Sequence, residues 1–137
     1  MRDLVTYLNF DGTAREAMTF YAKVLGAELS LQTFAEAKME TPKGSEHRIV
    51  HARLSNKGKT ILMASDTHPD MPYVPGTNFA VSCDCESSAE IDRHFAGMSA
   101  GGKVTMPVQD TFWNARFGML TDKFGINWMF NFEKPKA

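Results

Sequence analysis

The stretches VTYLNFDGTAREAMTFYAKVLG (Val5–Gly26) and NFAVSCDCESSAEIDRHFAGMSAGG (Asn78–Gly102) decide the fold, because they carry the same punctuation twice. In the first, Val5 to Phe10 reads as a strand, Asp11-Gly12 turns the chain, and Thr13-Ala-Arg-Glu16 has the Thr-x-x-Glu form of a capping box. Ala17, Met18, Tyr21 and Leu25 follow at helical spacing, and Gly26 stands where a left-handed residue would stop the helix. In the second, Asn78 to Cys83 reads as a strand and Ser87-Ser-Ala-Glu90 repeats the box. Ile91, Phe95 and Met98 form the helical stripe, and Gly101-Gly102 ends it.

Outward from these helices the match continues. Leu29 to Phe34 and Lys103 to Val108 read as strands. Two hairpin-like strands then follow in each half, with Ile49 to Leu54 set against Phe112 to Phe117, and Thr60 to Ser65 against Asn127 to Phe132. That alignment pairs Ala52-Arg53 with Ala115-Arg116. Each half is therefore expected to be β-α-β-β-β, spanning about residues 3–66 and 77–134. The linker, 67–76, holds Pro69, Pro72, Pro75 and Gly76, a composition that sustains neither helix nor ladder. The expected class is α+β, one domain over 1–137 built from two βαβββ repeats, with both helices on the outer face of a cupped mixed sheet.

Alternation at period two assigns the faces. Trp128, Phe130 and Phe132 share one side of the last strand, and Asn127, Met129 and Asn131 share the other. The same split sets Val50, Ala52 and Leu54 against Ile49, His51 and Arg53, and Phe79, Val81 and Cys83 against Asn78, Ala80 and Ser82. The oily side is expected under the helices. The mixed side is left for solvent or a ligand.

Composition narrows the function classes. Fifteen basic against sixteen acidic residues leave no cationic excess to hold a nucleic-acid backbone or an anionic membrane. No apolar run approaches the ~20 residues of a membrane span, and Met1-Arg2-Asp3 leads into a strand-like segment rather than a signal peptide, so a cytoplasmic protein is expected. Cys83 and Cys85 lack the CxxC spacing of a redox or zinc site and read as two reduced thiols packed as small hydrophobes. There is no P-loop, GxGxxG or GxSxG motif.

The string Tyr7-Leu-Asn-Phe-Asp-Gly12 with Glu16-Ala-Met and Phe20-Tyr21, then Asp110-Thr-Phe-Trp113 with Ala115-Arg116-Phe117-Gly118, and finally Asp122-Lys-Phe-Gly125 with Trp128, resembles the PhnB-like branch of the vicinal oxygen chelate superfamily. That superfamily includes glyoxalase I, bleomycin-resistance proteins and extradiol dioxygenases. The resemblance covers nearly the whole chain and implies a cupped sheet around a ligand cavity, commonly completed by dimerisation. The family pattern carries Gly where Asn114 stands and usually Pro where Lys123 stands.

Metal-dependent members hold a divalent ion with one residue from the first and one from the last strand of each half. Those places fall here on Val5 or Thr6, Met63, Asn78 and Met129. None is a good ligand for Zn²⁺, Ni²⁺, Mn²⁺ or Fe²⁺, since thioethers and neutral amides bind these ions poorly beside imidazole and carboxylate. No metal ligands and no cofactor are expected. Some relatives are named demethylubiquinone methyltransferases, but the chain has neither the parallel sheet nor the glycine-rich loop of a doubly wound nucleotide-type site.

Among candidate residues, His51 shares the mixed face with Arg53, and the internal match places Asn114 and Arg116 in the corresponding positions. Two arginines, a histidine and an amide would suit a carboxylate or phosphate, because guanidinium forks bind such groups bidentately. The alternative is a solvated face, or ion pairs to Glu40, Glu46 or Asp110. Met63 and Met129 would line an adaptable apolar pocket or simply pack. Trp113 would stack on a flat ligand or fill the core, whereas Trp128 belongs to the core. Ala35 to Arg48 has no clear period and reads as a long loop.

The leading expectation is a metal-free protein binding a small anionic or amphipathic molecule between the mixed face and a second copy of the chain, with Arg53, Met63, Asn78, Trp113, Asn114, Arg116 and Met129 as ligand-binding residues. The rivals are a lyase or isomerase with His51 as general base and Arg53 or Arg116 stabilising an enolate-like charge, a metal-dependent glyoxalase-like enzyme, and a plain interaction module.

Overall fold

The computed structural model of the chain describes residues 1–136, arranged as two compact units, Met1–Pro75 and Gly76–Ala137, whose last residue lies outside the described ones. The first unit runs β1 (Thr6–Phe10), α1 (Ala14–Leu25), β2 (Glu28–Thr33), β3 (Ile49–Asn56) and β4 (Lys59–Asp66). The second runs β5 (Val81–Asp84), α2 (Ser88–Ser99), β6 (Lys103–Asp110), β7 (Ala115–Thr121) and β8 (Asn127–Glu133). Each is β-α-β-β-β, and the class is α+β.

The strand orders are equivalent: β1-β4-β3-β2 in one sheet and β5-β8-β7-β6 in the other. In each, the first and last strands of the unit pair in parallel, and the remaining pairs are antiparallel. The short connections β3–β4, β6–β7 and β7–β8 favour antiparallel neighbours, and β2 and β3 are antiparallel across the long segment 34–48.

One face of each sheet is dry. In the first unit Leu8, Phe10, Ala52, Leu54, Leu62 and Ala64 are buried against Ala14, Ala17, Met18 and Tyr21 of α1. In the second, Leu120, Trp128 and Phe130 are buried against Ile91, Phe95 and Met98 of α2. Gly118 lies where α2 comes closest, because a Cβ there would stand 2.8 Å from both Phe95 Cε2 and Val108 Cγ2.

The two helices begin differently although their sequences repeat. Ser87 caps α2 as expected, its hydroxyl accepting the Glu90 N–H at 3.0 Å, while Glu90 Oε1 accepts the Glu86 N–H. Thr13 makes no side-chain cap. Instead the Asp66 carboxylate, from the end of β4, takes the N–H groups of Gly12 at 2.8 Å and Ala14 at 3.0 Å on Oδ1. Its Oδ2 takes the N–H of Ile49 at 2.9 Å. One buried carboxylate thus ties β4 to the start of α1 and to β3. Gly26 stops α1 with φ 66°, the left-handed conformation expected of it.

Several strand bounds differ from expectation. The strand expected over Asn78 to Cys83 begins only at Val81, so Asn78 and Phe79 precede the ladder and Phe79 is exposed. The strand expected over Phe112 to Phe117 begins at Ala115, because Asn114 takes φ 60° and Thr111 closes a tight loop with Ala115. Asn tolerates this left-handed conformation better than other non-glycine residues, in keeping with the glycine of the family pattern. Near the start of β3 a register shift opposite Gln32 and Thr33 inserts one extra residue. Ile49 therefore turns inward and is buried, where the alternation had placed Val50.

Candidate functional site

In the first unit the face away from α1 carries a continuous row. Tyr7 of β1 stands opposite Met63 of β4, Met63 opposite Arg53 of β3, and Arg53 opposite Ser30 of β2. His51 lies on the same face, opposite Gln32, and its ring centroid is 6.2 Å from that of Tyr7. A phenol, an imidazole, a thioether and a guanidinium therefore sit together on neighbouring strands. Arg53 is exposed, and among the described residues the ion pairs engage Arg48, His68, Arg116 and Lys134, leaving its guanidinium without one. The chemistry offered is a cation with a fork of donors, an adjacent imidazole and one apolar contact.

The equivalent face of the second unit has a different character. Met129 of β8 pairs with Ser82 of β5 on one side and Met119 of β7 on the other, and Phe117 follows Met119 two residues earlier, opposite Asn131. The two sheets align at a constant offset, since Ala52 faces Ala64 where Gly118 faces Phe130, and Leu54 faces Leu62 where Leu120 faces Trp128. Met63 and Met129 are then true counterparts. The counterparts of His51 and Arg53 are Phe117 and Met119, not Asn114 and Arg116 as the sequence match had it. That match slipped by three residues because it followed the repeated Ala-Arg pair, whereas the ladder follows burial.

Arg116 consequently lies on the other side of its sheet. It pairs with Phe132 on the helix-facing side, donates through Nε to Asp92 Oδ1 of α2 at 3.0 Å, and lies 3.5 Å from Asp110. The Asp92 carboxylate, followed by Asp110, raises its already high pKa, so the group is permanently cationic and committed to protein carboxylates. Lys134 completes the cluster at 2.9 Å from Asp110. Asn114 is in the loop before β7, its amide reaching the Lys134 carbonyl. Trp113 is in the same loop, 54% exposed, stacked edge-on against Phe112 at 4.8 Å and 6.2 Å from Phe117. Asn78 precedes β5. Of the expected site residues, His51, Arg53 and Met63 share one face, Met129 and the Trp113–Phe117 contact belong to the second unit, and Asn78, Asn114 and Arg116 join neither group.

The register also relocates the metal positions. Opposite Met63 stands Tyr7 rather than Val5 or Thr6, and opposite Met129 stands Ser82 rather than Asn78. In either sheet a thioether beside a neutral hydroxyl does not fit Zn²⁺, Ni²⁺, Mn²⁺ or Fe²⁺, which call for imidazole and carboxylate. Among the described residues there is no group of three His, Cys, Asp or Glu placed to hold an ion.

The family model described as 3-demethylubiquinone-9 3-methyltransferase matches residues 2–130. The chain belongs to this PhnB-like family. Its relatives include YjdN of Escherichia coli, 34% identical with 97% of each chain covered. The solved structure of PA1353 from Pseudomonas aeruginosa is 40% identical, covers 98% of this chain and 100% of its own, and superposes with a TM-score of 0.88. A PhnB protein from Bacillus cereus, titled a 3-demethylubiquinone-9 3-methyltransferase, is 27% identical over 96% of this chain and 99% of its own, with a TM-score of 0.78. The fold extends further, to a glyoxalase/bleomycin resistance/dioxygenase family protein from Burkholderia phytofirmans at 15% identity, 94% and 98% coverage and a TM-score of 0.61. This PhnB-like chain thus has the glyoxalase/bleomycin resistance fold. Sequence reading missed Tyr7 and Phe117 as open-face residues. The alternation through Leu8 and Phe10 marks Tyr7, but for Phe117 the strand's starting point was needed first.

Proposed function

We propose that this PhnB-like chain, one domain of two repeats, is a metal-free small-molecule-binding protein of the glyoxalase/bleomycin-resistance type whose ligand carries an anionic group. That group would sit on the open face of the first unit, on the Arg53 guanidinium, with His51 and Tyr7 beside it and Met63 as an apolar wall. The observation that carries this reading is Arg53 itself: an exposed cation that the ion pairs of the described residues leave unused, set in a row with donors and an apolar contact. An arginine so placed binds carboxylate or phosphate through two parallel hydrogen bonds. Methyl transfer is not carried over from the family description, because each four-stranded sheet has one parallel pair rather than a doubly wound parallel core. We further propose a homodimer in the cytoplasm, where the free thiols stay reduced.

A thermal-shift screen of small carboxylates and phosphates tests this reading. A ligand that stabilises the chain should lose that effect in Arg53→Ala and keep it in Arg116→Ala at matched unfolding temperatures. Elemental analysis showing stoichiometric Zn, Ni, Mn or Fe would overturn the metal-free reading. The contact between Tyr7 and His51 favours a second reading, a lyase or isomerase with His51 as general base. Turnover of a bound ligand that disappears in His51→Ala, with binding retained, would establish it over simple binding.

A further inference from the structure

The outermost strand of the second sheet carries a pair of sulfurs that the site above does not use. Cys83 and Cys85 flank Asp84 and are both free thiols, Cys83 half-buried and Cys85 buried. Cys83 lies opposite Phe130 of β8, on the side facing away from Ser82 and Met129. The Cys85 N–H donates to the Asn131 carbonyl at 2.7 Å, which extends the ladder past Asp84. Two residues apart along extended backbone, the side chains fall on one side. The burial alternates accordingly, Ser82 and Asp84 being exposed while Cys83 is half-buried and Cys85 buried. The neighbouring Cys85 thiol holds Cys83 below its ordinary pKa against the opposing effect of burial, and Cys83 together with burial pushes Cys85 up.

Distance decides what the pair can do. Two steps along a strand separate the Cβ atoms by about 6.6 Å, whereas a disulfide requires about 3.5–4.5 Å. A direct sulfur–sulfur bond would need the backbone to move. One atom held between the sulfurs would not, since two metal–thiolate bonds of about 2.3 Å each bridge side chains whose Cβ atoms stand that far apart. With two donors and no three-residue ligand group among the described residues, tetrahedral Zn²⁺ is a poor match. An ion satisfied by thiolates alone is a good one.

We infer that Cys83 and Cys85 form a two-thiolate clamp for a soft monovalent cation of the Cu(I) type. Binding breaks two S–H bonds, forms two S–Cu bonds and releases two protons to solvent, with no electron transferred. Asp84 and Glu90 lie close enough to oppose ionisation of both thiols while attracting the incoming cation. The clamp is independent of the ligand reading above, whose metal-free character concerns the open face of the first unit, because it uses different residues in the second sheet.

Anaerobic titration of the purified chain with Cu(I) against a chromogenic Cu(I) chelator tests the clamp. One Cu(I) per chain should be held roughly 100-fold more tightly than by Cys83→Ser or Cys85→Ser, since the second thiolate binds at high effective concentration. Mass spectrometry after alkylation gives a readout that needs no variant: Cys83, modified in the copper-free chain, should be protected once Cu(I) is bound. Equal affinity in the wild type and Cys83→Ser overturns the inference. So does a copper-loaded chain whose Cys83 alkylates at the unloaded rate, which would place the ion on methionine thioethers.

Discussion

Asp66 accepts three backbone N–H groups, from Gly12, Ala14 and Ile49, and is only 4% exposed. Removing the carboxylate leaves the Ala14 and Ile49 N–H groups with no partner in a dry environment, each costing about 1–3 kcal/mol, and leaves the part-buried Gly12 N–H to water. Asp66→Ala is therefore expected to destabilise the chain by about 3 kcal/mol or more, measured by urea unfolding, and a loss under about 1 kcal/mol would refute the role. Asp110 is a different case, an exposed carboxylate held below the ordinary range by its hydrogen bond to Lys134, then by the Lys134 and Arg116 charges. A depressed folded-state value means that this pairing stabilises the fold above the unfolded carboxylate pKa of ~3.9. The stabilisation is lost as pH falls through the lower folded value. A carboxyl NMR titration should find the Asp110 midpoint below that of a free aspartate, and Lys134→Ala should raise it; an unchanged midpoint in the variant would reject this cause. Neither pairing could be read from sequence, since Asp66 lies 52 residues from Ala14 and Lys134 lies 24 from Asp110.

At the level of elements, the two helices test how far a local motif can be trusted. Both capping boxes have the same residue types, but only Ser87 uses its hydroxyl as a cap. Ser87→Ala should cost about 1 kcal/mol, whereas Thr13→Ala should stay within about 0.5 kcal/mol, because Asp66 already satisfies the donors at the start of α1. Chemical denaturation of the two variants side by side checks this, and equal losses would contradict it. Strand faces behaved similarly: alternation correctly separates Trp128 and Phe130 from Met129, whereas the repeated Ala-Arg pair misplaces Arg116 by aligning the two halves three residues out of register.

For the whole molecule, the exposed aromatic side chains bear on the proposed homodimer. Phe112 is 97% exposed and Trp113 54%, which is costly for large aromatics facing water. Sedimentation at micromolar concentration is expected to give the mass of a homodimer, as closed two-fold assemblies are the commonest way to cover such surface; a monomeric mass would count against it. The sequence alone determined that the chain is written twice, that each half is β-α-β-β-β, and which side of most strands is dry. These are properties of spacing and composition, which act over a few residues. Only the tertiary structure decided that Asp66 caps α1, that Arg116 faces Asp92, and that Tyr7, His51, Arg53 and Met63 form one row. Those depend on strand register, and one bulge or one left-handed residue shifts register in a way that periodicity cannot count.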